Sequence, residues 1–188
     1  MQKAAIRTQV GIIGGGPSGL LLSQLLHVHG IESVILEKHS REYVLGRIRA
    51  GVLEHNFATL MREAKVSDRM DREGQIHEGF YIAHDGIRQR VDLKALTGGK
   101  TVIVYGQTEL TRDLYDARDR LGGAVFHNAE DVKPHDIDTP RPYLTCRIDT
   151  QVMRIDCDFI VGCDGFHGVS RQSIPKEKLR TYERVYPF

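Results

Sequence analysis

The sequence has few cysteines, almost no net charge and no uninterrupted hydrophobic segment long enough to span a membrane. Its 26 basic and 25 acidic side chains leave a formal charge of +1, which argues against nucleic acid or an anionic membrane as the main partner. Internal repeats and low-complexity tracts are also missing from the 188 residues, whereas 40% hydrophobic residues supply enough apolar surface for a folded core. A small ligand is therefore the expected partner.

The three cysteines, Cys146, Cys157 and Cys163, form no CxxC pair, and their odd number argues against a complete disulfide framework. They predict buried, inert thiols in a protein of the reducing cytoplasm. The histidines and cysteines show no metal-ligand spacing, so no metal site is predicted. The uncharged segment 10–26 is interrupted by glycines and lacks a cleavage signal, which excludes a signal peptide as its interpretation.

The first 37 residues show the pattern of a strand–helix–strand unit. Residues 8–13 are a short apolar run, typical of a buried parallel strand. Pro17 suits the first turn of a helix, five leucines follow with helical spacing, and Gly30 is expected to end the helix. Residues 33–36 predict a second buried strand that ends at Glu37. This order predicts a right-handed βαβ crossover.

The rest of the chain adds a hairpin, further helices and several short strands. Residues 80–83 and 87–93 flank Asp85-Gly86, a dipeptide that tolerates a tight hairpin turn, which predicts an antiparallel insertion near residues 78–95. Thr108 is predicted to cap a helix that follows a strand at 101–105. Residues 158–161 predict a buried strand that leads into a glycine turn. The predicted fold is α/β, a Rossmann-like domain with a small antiparallel β insertion.

The segment GGGPSG, residues 14–19, satisfies G-x-G-x-x-G between a strand and a helix, the context in which this pattern indicates dinucleotide binding. Gly14 permits the turn, Gly16 lets the backbone approach a pyrophosphate, and Gly19 allows close packing; Ser18 lies in the same turn. Glu37 is placed to accept hydrogen bonds from an adenosine ribose. A purely structural turn and an exposed strand-end Glu37 are the alternatives. These features alone do not separate FAD from NAD or NADP.

Five segments together resemble the group A flavoprotein monooxygenases, and within them the members that hydroxylate 4-hydroxybenzoate. They occur in the family's order over nearly the whole chain, and they are VGIIGGGPSGLLLSQLLHVHGI, VILEK, YVLGRIRAGVLE, GGKTVIVYGQTELTRDL and DFIVGCDGFHGVSRQSIP. The resemblance implies an FAD-binding domain, NADPH as the electron donor and O₂ as the oxidant. It further implies hydroxylation of 4-hydroxybenzoate, or a similar phenolic acid, to the 3,4-dihydroxy product, and a homodimer.

The resemblance also assigns individual residues to the cofactor. Arg49 would contact the FAD pyrophosphate, because a guanidinium can make paired hydrogen bonds to phosphate oxygens. Arg47 would lie near the flavin and the nicotinamide path, and Gln107 beside the FAD. Asp164 would face the FAD ribose. Read without the resemblance, the arginines are solvated surface, Gln107 is an ordinary loop residue, and Asp164-Gly165 is a simple turn.

Three further residues are assigned to the co-substrates by resemblance. His167 and Arg171 would face NADPH, and His77 would help deprotonate the phenolic substrate through a relay, a task that suits the pKa of an imidazole. Alone, His77 is more often a surface residue or a satisfied, partly buried one. A positive neighbourhood around residues 38–49, formed by Lys38, Arg41, Arg47 and Arg49, favours NADPH, and NADH stays possible.

The chain ends at Phe188, where the resembled enzymes continue into a substrate-binding sheet and a helical region. Residues 1–188 are therefore expected to be an N-terminal FAD-binding portion that, by itself, retains FAD weakly and hydroxylates little. The alternatives are a hydroxylase for another phenolic acid, a nicotinamide-only dehydrogenase, and a catalytically silent nucleotide-binding module.

Overall fold

The computed structural model describes residues 4–47 and 50–186 as a mixed α/β structure. The strands are β1 (Ala4–Arg7), β2 (Val10–Ile13), β3 (Ser33–Leu36), β4 (Val52–Leu53), β5 (Gln75–His77), β6 (Gly79–His84), β7 (Ile87–Asp92), β8 (Val102–Val104), β9 (Ala124–Phe126), β10 (Glu130–His135), β11 (Tyr143–Ile148), β12 (Gln151–Asp156) and β13 (Phe159–Gly162). The α-helices are α1 (Pro17–Val28), α2 (Arg41–Gly46), α3 (His55–Glu63), α4 (Arg69–Glu73), α5 (Leu93–Leu96), α6 (Gln107–Arg120) and α7 (Val169–Gln172).

A parallel sheet of four strands, ordered β13-β2-β3-β9, forms the centre of the molecule. Its two middle strands, β2 and β3, are buried along their whole length, as expected for strands covered on both faces. Helix α1 begins at Pro17 and its chain turns back at Gly30, which has a φ of +73°. The predicted βαβ unit is therefore confirmed.

The central sheet lies between a helical layer and a second sheet. Val10, Ile12 and Ile35 pack into a core that includes residues of α1, α3 and α6. The alternate residues, such as Ile13 and Leu36, pack into a separate core with β11 and β12. Because successive side chains of a strand point to opposite faces, each central strand contributes to both cores.

The second sheet, ordered β1-β12-β11-β10, has a parallel β1–β12 pair and antiparallel pairs elsewhere. A smaller antiparallel sheet is ordered β4-β8-β5. The hairpin β6–β7 stands apart, and its turn residues Asp85 and Gly86 have φ values of +46° and +77°. The small antiparallel insertion predicted from Asp85-Gly86 is thus confirmed.

Two local predictions are wrong. Thr108 does not cap α6, because the helix already begins at Gln107 and Gly106 occupies the N-cap position. Strand β13 is not buried, and the exposed fraction of Phe159 is 69%. It is an edge strand that pairs with β2 on one side, so its apolar side chains indicated a strand but not its depth.

Candidate functional site

The glycine-rich turn connects β2 to α1 and brings three chain segments into close contact. A Cβ atom at Gly14, where φ is +106°, would lie 2.5 Å from the Cys163 carbonyl oxygen, and one at Gly19 would lie 2.0 Å from the Gly14 carbonyl oxygen. A Cβ at Gly16 would meet nothing within 4 Å. Gly14 and Gly19 therefore permit the tight turn, whereas Gly16 borders open space.

Glu37 follows β3 and turns its carboxylate toward the glycine-rich turn. Its Oε2 accepts a hydrogen bond from the Gly15 amide at 2.6 Å, and its Oε1 accepts one from the His39 amide at 2.9 Å. The residue is buried. Since each carboxylate oxygen has two lone pairs, both oxygens retain capacity to accept a further hydrogen bond. Glu37 is thus held in place by the backbone while it still lines open space.

A cleft of about 1030 Å³ opens beside this turn, at the carboxyl ends of β2, β3 and β13. Carboxyl ends of parallel strands are where open α/β sheets place their ligands. Eight residues predicted to bind the cofactor line this cleft, namely Gly14, Gly16, Ser18, Glu37, Arg47, Gln107, Asp164 and His167. Segments more than one hundred residues apart in sequence therefore converge on one cavity.

The segment after β13 also lines the cleft. Asp164 accepts a hydrogen bond from the Ser170 amide at 3.0 Å through Oδ2. A Cβ at Gly168 would lie 2.0 Å from the Asp164 carboxyl carbon, so the chain packs tightly against this side chain. Gly165 has a φ of +75°. The Asp164-Gly165 dipeptide is therefore a turn in which the carboxylate is fixed by backbone contacts, and Asp164 lines the cleft.

Arg171 lies outside the main cleft and lines a neighbouring cleft of about 820 Å³. Its guanidinium is 4.1 Å from the centre of the Phe166 ring and donates a hydrogen bond to the Thr181 hydroxyl at 3.3 Å. Asp164 and Ser18 border both clefts. Arg171 and His167 are thus placed in adjoining cavities rather than in one.

The remaining predicted residues have different positions. Gly19 packs inside the turn and does not line the cleft. His77 is an exposed residue of β5, paired with Val102 of β8, and it lies outside both clefts. Arg49 lies outside the described residues.

Arg41 differs from the expectation that it adds positive charge for a phosphate. It pairs with Asp116 at 3.0 Å and Asp119 at 2.6 Å, both on α6, so its charge is balanced within the protein. Lys38 and Arg47 do line the cleft. Arg41 is therefore removed from the four basic residues that were expected to offer positive charge to a phosphate.

Several lining residues were not found from the sequence. Tyr43, at the start of the quoted YVLGR segment, stacks on His39 at 4.1 Å between ring centres, and both line the cleft. Lys133 and His135 reach it from β10. No local pattern marks β10 as part of the site, because its position follows from the packing of the second sheet beneath the first.

The residues around the cleft fit the ADP half of a dinucleotide. The start of α1 offers backbone amides where phosphate charge is stabilised, Gly16 leaves space for close approach, and Glu37 offers acceptors for ribose hydroxyls. The cleft volume, about 1030 Å³, is at the upper end of the usual range for cofactor pockets.

A family model described as FAD binding domain matches residues 7–188. The chain belongs to this family of FAD-binding domains. It is 49% identical over 183 residues to p-hydroxybenzoate hydroxylase from Acinetobacter baylyi, and the alignment covers 97% of this chain and 45% of that protein. It is 27% identical over 191 residues to kynurenine 3-monooxygenase from Sus scrofa, with 96% of this chain and 39% of that protein covered. The predicted resemblance is confirmed.

Solved structures confirm the fold. Crystal structures of PqsL from Pseudomonas aeruginosa and of p-nitrophenol 4-monooxygenase PnpA from Pseudomonas putida match with TM-scores of 0.77 and 0.76. Their sequence identities are 21% and 19%, and the matches cover 96% and 91% of this chain. They cover 48% and 44% of those chains, so this chain spans less than half the length of these relatives. None of the described helices combines the length and apolar character that a membrane span requires.

Proposed function

We propose that the intact protein hydroxylates 4-hydroxybenzoate to 3,4-dihydroxybenzoate with FAD, NADPH and O₂. The observation that carries the substrate assignment is the 49% identity to p-hydroxybenzoate hydroxylase over 97% of this chain. Because the alignment covers 45% of that protein, we also propose that residues 1–188 are the FAD-binding portion, with the hairpin near residues 78–95 as an insertion. Most substrate contacts then lie elsewhere in the protein.

In this proposal the main cleft holds the ADP half of FAD. The amides at the start of α1 face the pyrophosphate, with Gly16 and Ser18 beside it, and Glu37 accepts hydrogen bonds from the adenosine ribose. As further contacts we propose Arg47 near the flavin and the nicotinamide path, Gln107 beside the FAD and Asp164 toward the FAD ribose, and the family resemblance assigns Arg49 to the pyrophosphate. When bound, FAD supplies the redox chemistry that side chains lack, which is acceptance of a hydride and activation of O₂.

We propose NADPH rather than NADH as the electron donor. Lys38 and Arg47 border the main cleft and are also exposed, so in this proposal they offer positive charge to a 2′-phosphate outside the space that FAD fills, with His167 and Arg171 as further contacts. Because Arg41 pairs with two carboxylates, less unpaired positive charge is present here than the sequence predicted. NADH therefore remains the alternative donor, and the ratio of kcat/KM for NADPH and NADH decides between them.

His77 is proposed to act at a distance, by passing a proton between solvent and the phenol through a relay. Its exposed position on β5 suits exchange with water. No described contact links it to the main cleft, so the relay requires groups beyond the described residues. Substitution of His77 is expected to lower kcat and to change the pH dependence of kcat.

The proposal includes a cytoplasmic homodimer. The three cysteines, Cys146, Cys157 and Cys163, are free thiols, which supports a reducing compartment. Sedimentation of the intact protein tests the oligomeric state.

The deciding experiment uses the purified intact protein. Its absorption spectrum should show bound flavin, and 4-hydroxybenzoate should stimulate NADPH oxidation with formation of equal amounts of 3,4-dihydroxybenzoate. Bound flavin with a response to another phenolic acid would identify a related hydroxylase. Protein that binds no FAD would contradict the proposal.

A further inference from the structure

Tyr115 lies inside α6 and reaches the glycine-rich turn with its hydroxyl group. The residue is 1% exposed, and its hydroxyl donates a hydrogen bond of 3.0 Å to the Gly15 carbonyl oxygen. It lies one hundred positions away in sequence and does not line the main cleft. A buried polar group from a distant helix is therefore attached to the backbone of the turn.

The position of this hydrogen bond determines which amide it controls. The Gly15 carbonyl and the Gly16 N–H belong to one planar trans peptide and point in opposite directions. A hydroxyl that holds the carbonyl on the α6 side therefore orients the Gly16 N–H away from α6. Gly16 lines the main cleft, so the hydrogen bond from Tyr115 sets the direction of an amide that borders the ligand space.

The preceding peptide is fixed from the other side. Glu37 accepts a hydrogen bond from the Gly15 N–H at 2.6 Å, which holds the plane of the Gly14–Gly15 peptide. Both peptide planes that flank Gly15 are thus held by buried side chains. Since glycine has wide conformational freedom, these two contacts replace the restraint that a side chain at Gly15 would give.

Tyr115 is itself held by α2 and by a histidine. The Arg41 guanidinium lies 4.8 Å from the centre of its ring and makes ion pairs with Asp116 and Asp119 of the same helix. The His127 ring packs at 5.5 Å from the ring centre. Burial and then the nearby Glu37 charge raise the pKa of Tyr115, so its phenol remains a neutral donor around pH 7.

We propose that Tyr115 is a positioning residue, which holds the Gly15–Gly16 peptide in the orientation that binds the dinucleotide pyrophosphate. The inference rests on the proposed function, in which FAD occupies the main cleft. A turn that is already ordered loses less conformational entropy when phosphate binds. Removal of the hydroxyl should therefore weaken ligands that carry the pyrophosphate and spare those that do not.

The test compares Tyr115→Phe with a matched control, Tyr105→Phe. Both changes remove one hydroxyl from a buried tyrosine, but the Tyr105 hydroxyl donates to the Asp113 carboxylate at 2.6 Å and touches no part of the turn. Apoprotein of the intact wild type and of both variants is titrated with FAD, ADP and adenosine by calorimetry. Circular dichroism checks that each apoprotein is folded. Where a variant is partly unfolded, sucrose is added to all samples to stabilise the folded state.

Tyr115→Phe is expected to weaken FAD and ADP binding roughly three- to tenfold, the effect of one lost hydrogen bond. Its adenosine affinity should stay within about twofold of wild type, and Tyr105→Phe should match wild type for all three ligands. Unchanged ADP affinity in Tyr115→Phe, or an equal loss for ADP and adenosine, would overturn the positioning role while leaving the proposed function intact. A wild-type apoprotein that binds neither FAD nor ADP would overturn both.

Discussion

Gly16 and Gly19 occupy the same turn, but a methyl group at each position has a different expected effect. At Gly19 the added carbon would lie 2.0 Å from a backbone oxygen that cannot yield, so Gly19→Ala should lower the free energy of unfolding by about 1–3 kcal/mol. At Gly16 the carbon would meet no protein atom, and the φ of −76° suits alanine. Urea denaturation of the two variants measures the difference.

FAD titration completes this comparison. Gly16→Ala should fold like wild type and yet bind FAD at least about tenfold more weakly, because the methyl group occupies the surface that the pyrophosphate approaches. Wild-type FAD affinity in folded Gly16→Ala would show that the pyrophosphate does not lie there.

Cys163 offers a chemical probe of the main cleft. It is partly exposed and lines the cleft, whereas Cys146 and Cys157 are buried and serve as internal controls. Burial, with the nearby Asp164 charge, raises the pKa of the Cys163 thiol. Its alkylation by N-ethylmaleimide should therefore be slow at pH 7 and faster as the pH rises and the thiolate forms.

Bound FAD should slow the alkylation of Cys163 at every pH, because it covers the cleft. Mass spectrometry of peptides, with and without FAD, measures the modification at each cysteine. Equal modification of Cys163 in the two samples would argue against a ligand in this cleft.

Among the elements, the attachment of α4 to α6 depends on Arg69. Arg69 pairs with Asp113 at 3.0 Å and also with Glu109 and Glu73, and the Asp113 side chain is 5% exposed. Arg69→Met leaves a buried carboxylate with fewer partners, so we expect a loss of about 1–3 kcal/mol in the free energy of unfolding.

The matched control is Arg62→Met, which breaks an ion pair with Asp71 in which both side chains are more than 40% exposed. Solvent screening limits such pairs to less than about 1 kcal/mol. Urea denaturation should separate the two variants, and an equal loss would mean that burial of Asp113 does not strengthen its pair.

Elements whose signals are local could be predicted from the sequence. The apolar runs at β2 and β3, Pro17 at the start of α1, and Asp85-Gly86 in the β6–β7 turn each define an element through neighbouring residues. The burial of β13 and the true start of α6 could not be predicted in this way. The burial of a strand depends on whether it pairs on one side or on both, which distant residues decide. The first residue of α6 depends on where the chain leaves β8, which the residues around Thr108 do not reveal.

At the scale of the whole molecule, the sequence predicted those residues of the cleft that belong to recognisable motifs. The glycine-rich turn, Glu37 and the segment around Asp164 were found because each follows a strand of the central sheet at the same edge. Gln107 was found from the YGQT segment, which follows β8 of the smaller sheet. Lys133 and His135 were missed because the second sheet brings β10 to the cleft by packing alone. The pairing of Arg41 with Asp116 and Asp119 was missed because its partners are 75 and 78 positions away.

A crystal structure of the FAD-loaded intact protein shows whether the ADP half of FAD lies in the main cleft. We expect the pyrophosphate beside Gly16 at the start of α1 and the adenosine ribose within hydrogen-bond distance of the Glu37 carboxylate. ADP density away from the glycine-rich turn, or a ribose that makes no contact with Glu37, would contradict this expectation.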